Sequence, residues 1–180
     1  MKILLKLISI LFILSLQIGC LYAIRYDGPY HGKVVDEQTR EPIEGVVVLG
    51  SWWVYHFDVG GGHSTYHDAR EVVTDKNGEF KIKGEGLRVF SSLKPMDFII
   101  YKAGYTYFQG SWDTLTTGIY TKEVVKWEGE TPIIPIRKLT DEERKKDIRS
   151  LFLPSEGDVP SVLMRQEINK EHIFRGWPSL

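Results

Sequence analysis

The sequence predicts a mainly β protein, a single seven-stranded β-sandwich followed by a C-terminal helical extension. Short runs of β-branched and aromatic residues recur between Pro, Gly, Asn and Asp. Examples are Gly32-Lys33-Val34-Val35-Asp36, Pro42-Ile43-Glu44-Gly45-Val46-Val47-Val48 and Thr74-Asp75-Lys76-Asn77-Gly78-Glu79-Phe80. Such spacing is that of strands and turns, and Asn77-Gly78 supplies the positive-φ positions of a tight hairpin. After Leu139 the character changes, and Thr140 with Glu143 makes a capping box ahead of a helical stretch. The chain has one cysteine, Cys20, so no intramolecular disulfide holds the fold. Stability must come from an apolar core, and five Trp, nine Tyr and eight Phe supply its bulk.

Residues 1–23 read as a secretory signal peptide. Lys2 and Lys6 precede an apolar stretch from Leu7 to Ile18, shorter than a bilayer span of about 20 residues. Two processing routes are open. Gly19-Cys20 resembles the end of a bacterial lipobox, in which the cysteine becomes the lipid-modified first residue, although Gln17 stands where an aliphatic residue is preferred. Cleavage after Ala23 is the other route, and it would leave a soluble periplasmic or secreted protein.

The sandwich is expected within residues 28–139. His31 to Val35 forms the first strand. Val46 to Phe57 forms a long second one, whose Val46, Val48, Ser51 and Trp53 break a single alternation and predict a bulge or bend at Gly50-Ser51. Asp58 to His67 reads as a Gly-rich loop, Ala69 to Thr74 as a strand, and Glu79 to Lys83 as its hairpin partner. Met96 to Tyr101, Glu123 to Trp127 and Ile133 to Arg137 complete the set. A long excursion from Tyr105 to Gly118 carries Tyr107, Phe108 and Trp112. Residues 140–180 form the extension. Its first helix reaches to about Phe152 with a stripe of Ile148, Leu151 and Phe152, and Pro154 stops it. A second, less amphipathic helix spans Ser161 to Phe174, either loosely packed or serving as a tail contact.

The first strand ending at Asp36, the Pro42-Ile43-Glu44-Gly45-Val46 step, the Thr74-to-Phe80 hairpin and Gly104-Tyr105 together resemble the carboxypeptidase regulatory-like domain. The resemblance covers residues 30–139 and implies a transthyretin-like, immunoglobulin-like sandwich. Its motif residues are structural, so it implies no ligand. Metallocarboxypeptidases carry this domain as an accessory, which implies an accessory role. A transthyretin-like relative is a purine-pathway hydrolase, but of its Tyr-Arg-Gly-Ser ending this chain keeps only Arg175-Gly176.

The formal net charge is −1, which gives no basic field for nucleic acid. Two regions carry candidate site residues. His56, Asp58, His63, His67 and Asp68 cluster around Gly60-Gly61-Gly62, and imidazole with carboxylate is a zinc ligand set. Their spacing matches no metal signature, so His63, His67 and Asp68 are weak metal candidates and a solvated loop is the simpler reading. In the second region Trp52, Val54 and His56 share one strand face while Trp53, Tyr55 and Phe57 share the other. Either one aromatic row is exposed for stacking or gripping a partner, or the excursion with Trp112 covers it.

The function expected from these features is non-catalytic recognition by an exported cell-envelope protein, in particular an outer-membrane lipoprotein tethered at Cys20. The ligand is another envelope protein or a glycan, met through Trp52, Trp53, His56, Asp58, His63, His67 and Trp112. No cofactor is called for. The alternatives are a metal-dependent or transthyretin-like hydrolase built on residues 56–68, and a purely structural envelope lipoprotein.

Overall fold

Strands form where the apolar runs lie. The computed structural model describes residues 6, 24–118, 124–146 and 161–179. The chain opens with β1 (Ile24–Asp27), β2 (Tyr30–Asp36), β3 (Val47–Asp58), β4 (Gly61–Val73) and β5 (Glu79–Ile82). It continues with β6 (Gly86–Val89), β7 (Asp97–Tyr101), β8 (Phe108–Ser111) and α1 (Trp112–Thr117). β9 (Lys126–Glu128), β10 (Thr131–Ile136), α2 (Asp141–Lys146) and α3 (Val162–Arg175) follow. The leader's apolar stretch, Cys20, the stripe of Ile148, Leu151 and Phe152, and Pro154 all lie outside the described residues.

The protein is mainly β, with several sheets. One four-stranded sheet has the order β5-β2-β10-β9, in which β2 and β10 run parallel. A second, entirely antiparallel, has the order β4-β3-β7-β8, and β1 pairs with β6 in a separate ribbon. Val34, Ile82, Ile134 and Ile136 of the first sheet share one core with Val46, Val48, Trp52, Phe98 and Ile100 of the second. Leu115 of α1 is fully buried in that core. The described residues form ten strands where the sequence predicts seven, and β1, β6 and β8 are the additions.

The first half of β3 is covered on both sides. Val46 just ahead of it and its even-numbered Val48 and Trp52 face the other sheet, while odd-numbered Val47, Leu49 and Trp53 join Ile99, Tyr101, Met164 and Ile168 beneath α3. A strand buried on both faces shows no polar alternation, which is why its sequence reads as broken at Gly50-Ser51. The backbone of β3 keeps its parity, and the irregularity falls instead opposite Trp52 and Trp53, where β4 carries His67 as an extra residue. Bulges of this kind bend and twist one strand of a pair without disturbing its partner.

Two other expectations are corrected. Asp58 to His67 is no loop: β3 and β4 stay paired as far as Asp58 opposite Gly61, with only Val59 and Gly60 in the turn. Glu79 to Lys83 does not pair with the preceding strand either, since β5 pairs with β2 in the other sheet. Thr74 holds the end of β4 on the second sheet, its Oγ1 donating to Ile43 O and accepting from Val46 N. The turn from Asp75 to Gly78 then hands the chain across, with Gly78 O accepting from Val34 N at 2.8 Å. Only Gly78 of the Asn77-Gly78 pair has positive φ, at 73°, and a Cβ there would meet Val34 O at 2.4 Å. Asp75 Oδ1 closes the turn by accepting from Asn77 N and Glu79 N.

The capping box at α2 forms as the sequence predicts. Thr140 Oγ1 accepts from Glu143 N, and Glu143 Oε2 accepts from Thr140 N at 2.9 Å. Arg137 and these bonds hold the Glu143 carboxyl down to about 2. The second C-terminal helix, α3, is docked rather than loose. Ser161 makes no side-chain cap bond, and Glu71 of β4 supplies the cap, its carboxylate accepting from Leu163 N and Met164 N. A carboxylate there satisfies orphan donors and opposes the positive end of the helix dipole. Further along α3, buried Glu167 and Glu171 accept from Ala103 N and Gly104 N of the turn after β7. Arg144 of α2 grips Glu171 through two guanidinium nitrogens and lies 3.5 Å from the centre of the Phe174 ring. Burial opposes the charge on Glu171, but Arg144, Gly104 N–H and Arg175 outweigh it and hold its carboxyl below the usual range.

Candidate functional site, the β3–β4 arm

β7 pairs with β3 only from Val47 to Ser51, so β3 and β4 run on beyond the sheet as a two-stranded arm. The residues after the bulge are braced at the arm's base. Val54 bridges Leu93, Lys94 N donates to Trp53 O, and Tyr55 N donates to Ser92 O. Beyond this the arm carries its own ladder to a turn that needs glycine, because Gly61 has φ of 128°.

The two faces of the arm differ. Tyr55 and Phe57 alternate along one face and Val59 follows in the turn; Phe57 is 83% exposed and Val59 fully so. The Tyr55 ring lies across Gly62, where a Cβ would meet the Tyr55 hydroxyl at 1.7 Å, and Lys94 Nζ sits 5.7 Å from the ring centre. Opposite, His56 and His63 are cross-strand partners with rings stacked 5.1 Å apart. Thr65 Oγ1 lies 2.8 Å from His56 Nε2, and Asp58 Oδ2 lies 2.9 Å from His63 Nδ1. One face is thus apolar and unpartnered, and the other is polar and internally bonded.

The candidate residues separate into several environments. Trp52 is fully buried, with its indole N–H donating to Asp27 Oδ2 at 3.0 Å and Arg70 4.9 Å from its ring centre. It offers no surface to a ligand, because its strand face points at the first sheet. Trp53 is half-buried and meets the Tyr66 ring edge-on at 5.8 Å beneath α3. Trp112 is half-buried and meets Tyr30 and Phe98 edge-on. The excursion therefore contributes to both cores, Phe108 and Trp112 to the inner one and Tyr107 to the outer.

His63, His67 and Asp68 do not converge. His63 pairs with Asp58, His67 lies 3.3 Å from Glu85 Oε2, and Asp68 pairs with Arg70 at 2.8 Å. Among the described residues no group of three or more His, Cys, Asp and Glu side chains could hold a metal ion.

A buried polar hub was not evident in the sequence. Asp27 accepts from Tyr30 Oη, from Trp52 Nε1 and from Glu85 N at 2.8 Å. Burial, together with the Asp27 carboxylate, pushes the Tyr30 hydroxyl up. Next to this hub, Arg25, Tyr26, Pro29, Pro95 and Trp112 border a cleft of about 300 Å³. A larger open cleft of about 680 Å³ runs between Asp36, Glu41, Glu44, Lys102, Tyr105 and Lys138.

Neither a protein-family model, nor a curated protein, nor a solved structure matches the chain significantly. Among the described residues no helix is long and apolar enough to cross a membrane.

Proposed function

We propose that the chain is a non-catalytic recognition module of the cell envelope, lipid-anchored through Cys20, whose β3–β4 arm grips an apolar patch on another envelope protein. The observation that carries this reading is the row Tyr55, Phe57 and Val59 on an arm projecting past its sheet. Contiguous exposed apolar side chains on a braced scaffold are a common mark of a protein-interaction surface. The ladder and the stacked histidines hold the arm in shape, so little ordering entropy is lost on binding. The sandwich itself fits the carboxypeptidase regulatory-like resemblance and an accessory role of the transthyretin-like kind.

A second reading rests on Tyr55 alone. The residue is 41% exposed with its hydroxyl end against Gly62, and an exposed tyrosine ring is suited to stacking on a sugar ring of a surface glycan.

The test is crosslinking in intact cells, followed by capture of the full-length chain and mass spectrometry of what it retains. The Phe57→Ser, Val59→Ser double variant is run beside it. A protein enriched with the parent chain and lost with the variant is the expected result. Equal retention by both chains sinks the reading. No enriched protein, with polysaccharide binding abolished by Tyr55→Ala but not by Phe57→Ser, transfers the case to the glycan.

A further inference from the structure

The β1–β6 ribbon is built opposite to a solvated one. Its register sets Ile24 against Val89 and Tyr26 against Leu87, so these four side chains share one face. All four are exposed, Tyr26 at 70%, and the next residue along, Phe90, is exposed too at 81%. The alternate residues turn to the body: Arg25 donates to Leu93 O, Arg88 pairs with Glu85, and Asp27 is the buried hub beside Trp52 and Tyr30. Polar groups therefore fix the ribbon to the protein while its apolar face is left outward. The solvated face of an antiparallel pair usually carries polar side chains instead.

We infer that this face lies on the membrane, with Ile24, Tyr26, Leu87 and Val89 seated at the lipid–water boundary. The inference rests on the reading that Cys20 is lipid-anchored, and the occupant follows from chain length. Ile24 begins β1 four residues after Cys20, and four residues extend to about 14 Å at most. A lipid on Cys20 thus holds the start of the ribbon within about 14 Å of its point of insertion in the bilayer. The residue types suit that depth. Ile, Leu and Val enter the acyl boundary, and Tyr26 places a ring there with its hydroxyl in water. The lipid supplies the affinity, and the ribbon fixes the orientation of the domain above the bilayer.

The experiment uses the full chain, matured in its own membrane, purified and reconstituted into vesicles of phosphatidylethanolamine and phosphatidylglycerol. The vesicles are doped with a phosphatidylethanolamine that carries a photoactivatable diazirine at the glycerol level. Peptide mass spectrometry maps the adducts and, on the same sample, reads the mass of the acyl groups on Cys20. The expected result is adducts on Tyr26, Leu87, Val89 and Phe90 several-fold above those on Phe57 and Val59, which are as exposed but lie on the arm. The Leu87→Glu, Val89→Glu variant should lose the ribbon adducts while keeping its circular dichroism spectrum and the Cys20 lipid. An acylated Cys20 with the ribbon labelled no more than the arm overturns the inference, and so do crosslinks joining ribbons of two copies. If Cys20 carries no lipid, the anchoring reading fails by itself. Ribbon adducts in that unlipidated chain still support the membrane face, and their absence overturns it.

Discussion

The root and the tip of the β3–β4 hairpin share one hydrogen-bond ladder and similar residue types, yet their aromatic side chains have opposite surroundings. At the root Trp52 is sealed between sheets and Trp53 lies under α3. A few residues on, Tyr55 and Phe57 continue the alternation of Trp53 with neither sheet nor helix laid over them, and Phe57 is 83% exposed. Strand formation is therefore a property of the local run, whereas the role of each aromatic depends on which other element reaches it. The extra residue His67 marks the boundary, since beyond it the pair runs on past the end of its pairing with β7.

The sharpest way to break this comparison is to truncate at both ends. Trp52→Ala should destabilise by about 3–5 kcal/mol in urea unfolding, from lost burial and the cavity left behind. Trp52→Phe keeps most of the volume but leaves Asp27 Oδ2 without its indole donor, and should cost about 1–3 kcal/mol. An unchanged midpoint for Trp52→Ala would show that the root is not sealed.

Next in size is the clamp that holds α3 over the root. Glu171→Gln should cost about 1–3 kcal/mol at pH 7, because Arg144 loses its charge-assisted partner. The folded carboxyl lies below its unfolded value, so its contribution is present above the ordinary Glu value of about 4.3 and is lost as the pH falls through the lower folded value. Thermal unfolding across that acid range should slope downward for the parent and more weakly for Glu171→Gln. Parallel slopes would mean that the clamp does not titrate with folding.

The smallest effect belongs to the tip. Phe57→Ser should move the unfolding midpoint by no more than the equivalent of about 0.5 kcal/mol, as expected for an exposed side chain. A large loss would mean that Phe57 is covered in the intact protein and that the arm is structural.

Much of the strand plan was legible. Val34-Val35, Val46 to Phe57, Phe80 with Ile82, and the run from Phe98 to Tyr101 all lie in strands or lead into one. The capping box was legible too, because its two bonds join residues three apart. What escaped was every pairing set by partners far along the chain. Asp75 to Gly78 has the residues of a hairpin turn and makes an inter-sheet corner, because Thr74 is held by Ile43 and Val46. The mixed charges of α3 read as weak amphipathicity, but Glu167 and Glu171 are buried against backbone donors of Ala103 and Gly104. At the site, Tyr55 and Phe57 could be placed on one strand face, while Val59 was hidden in an apparent loop. The histidines gave a false cluster, since nearness in sequence says nothing about which way a bulge turns His67.

By itself the sequence determined that this is a mainly β chain with an apolar core, a capped helix after Leu139 and aromatics concentrated around Trp52 to Phe57. These follow from side-chain size, β-branching and short-range hydrogen bonding. Only the tertiary structure decided that Trp52 is core and Phe57 is surface, that β5 crosses to the other sheet, and that the ribbon turns Tyr26 and Leu87 outward. Burial is a relation between segments distant along the chain, and it is the coverage of each face, rather than the residue placed on it, that divides core from exposed surface.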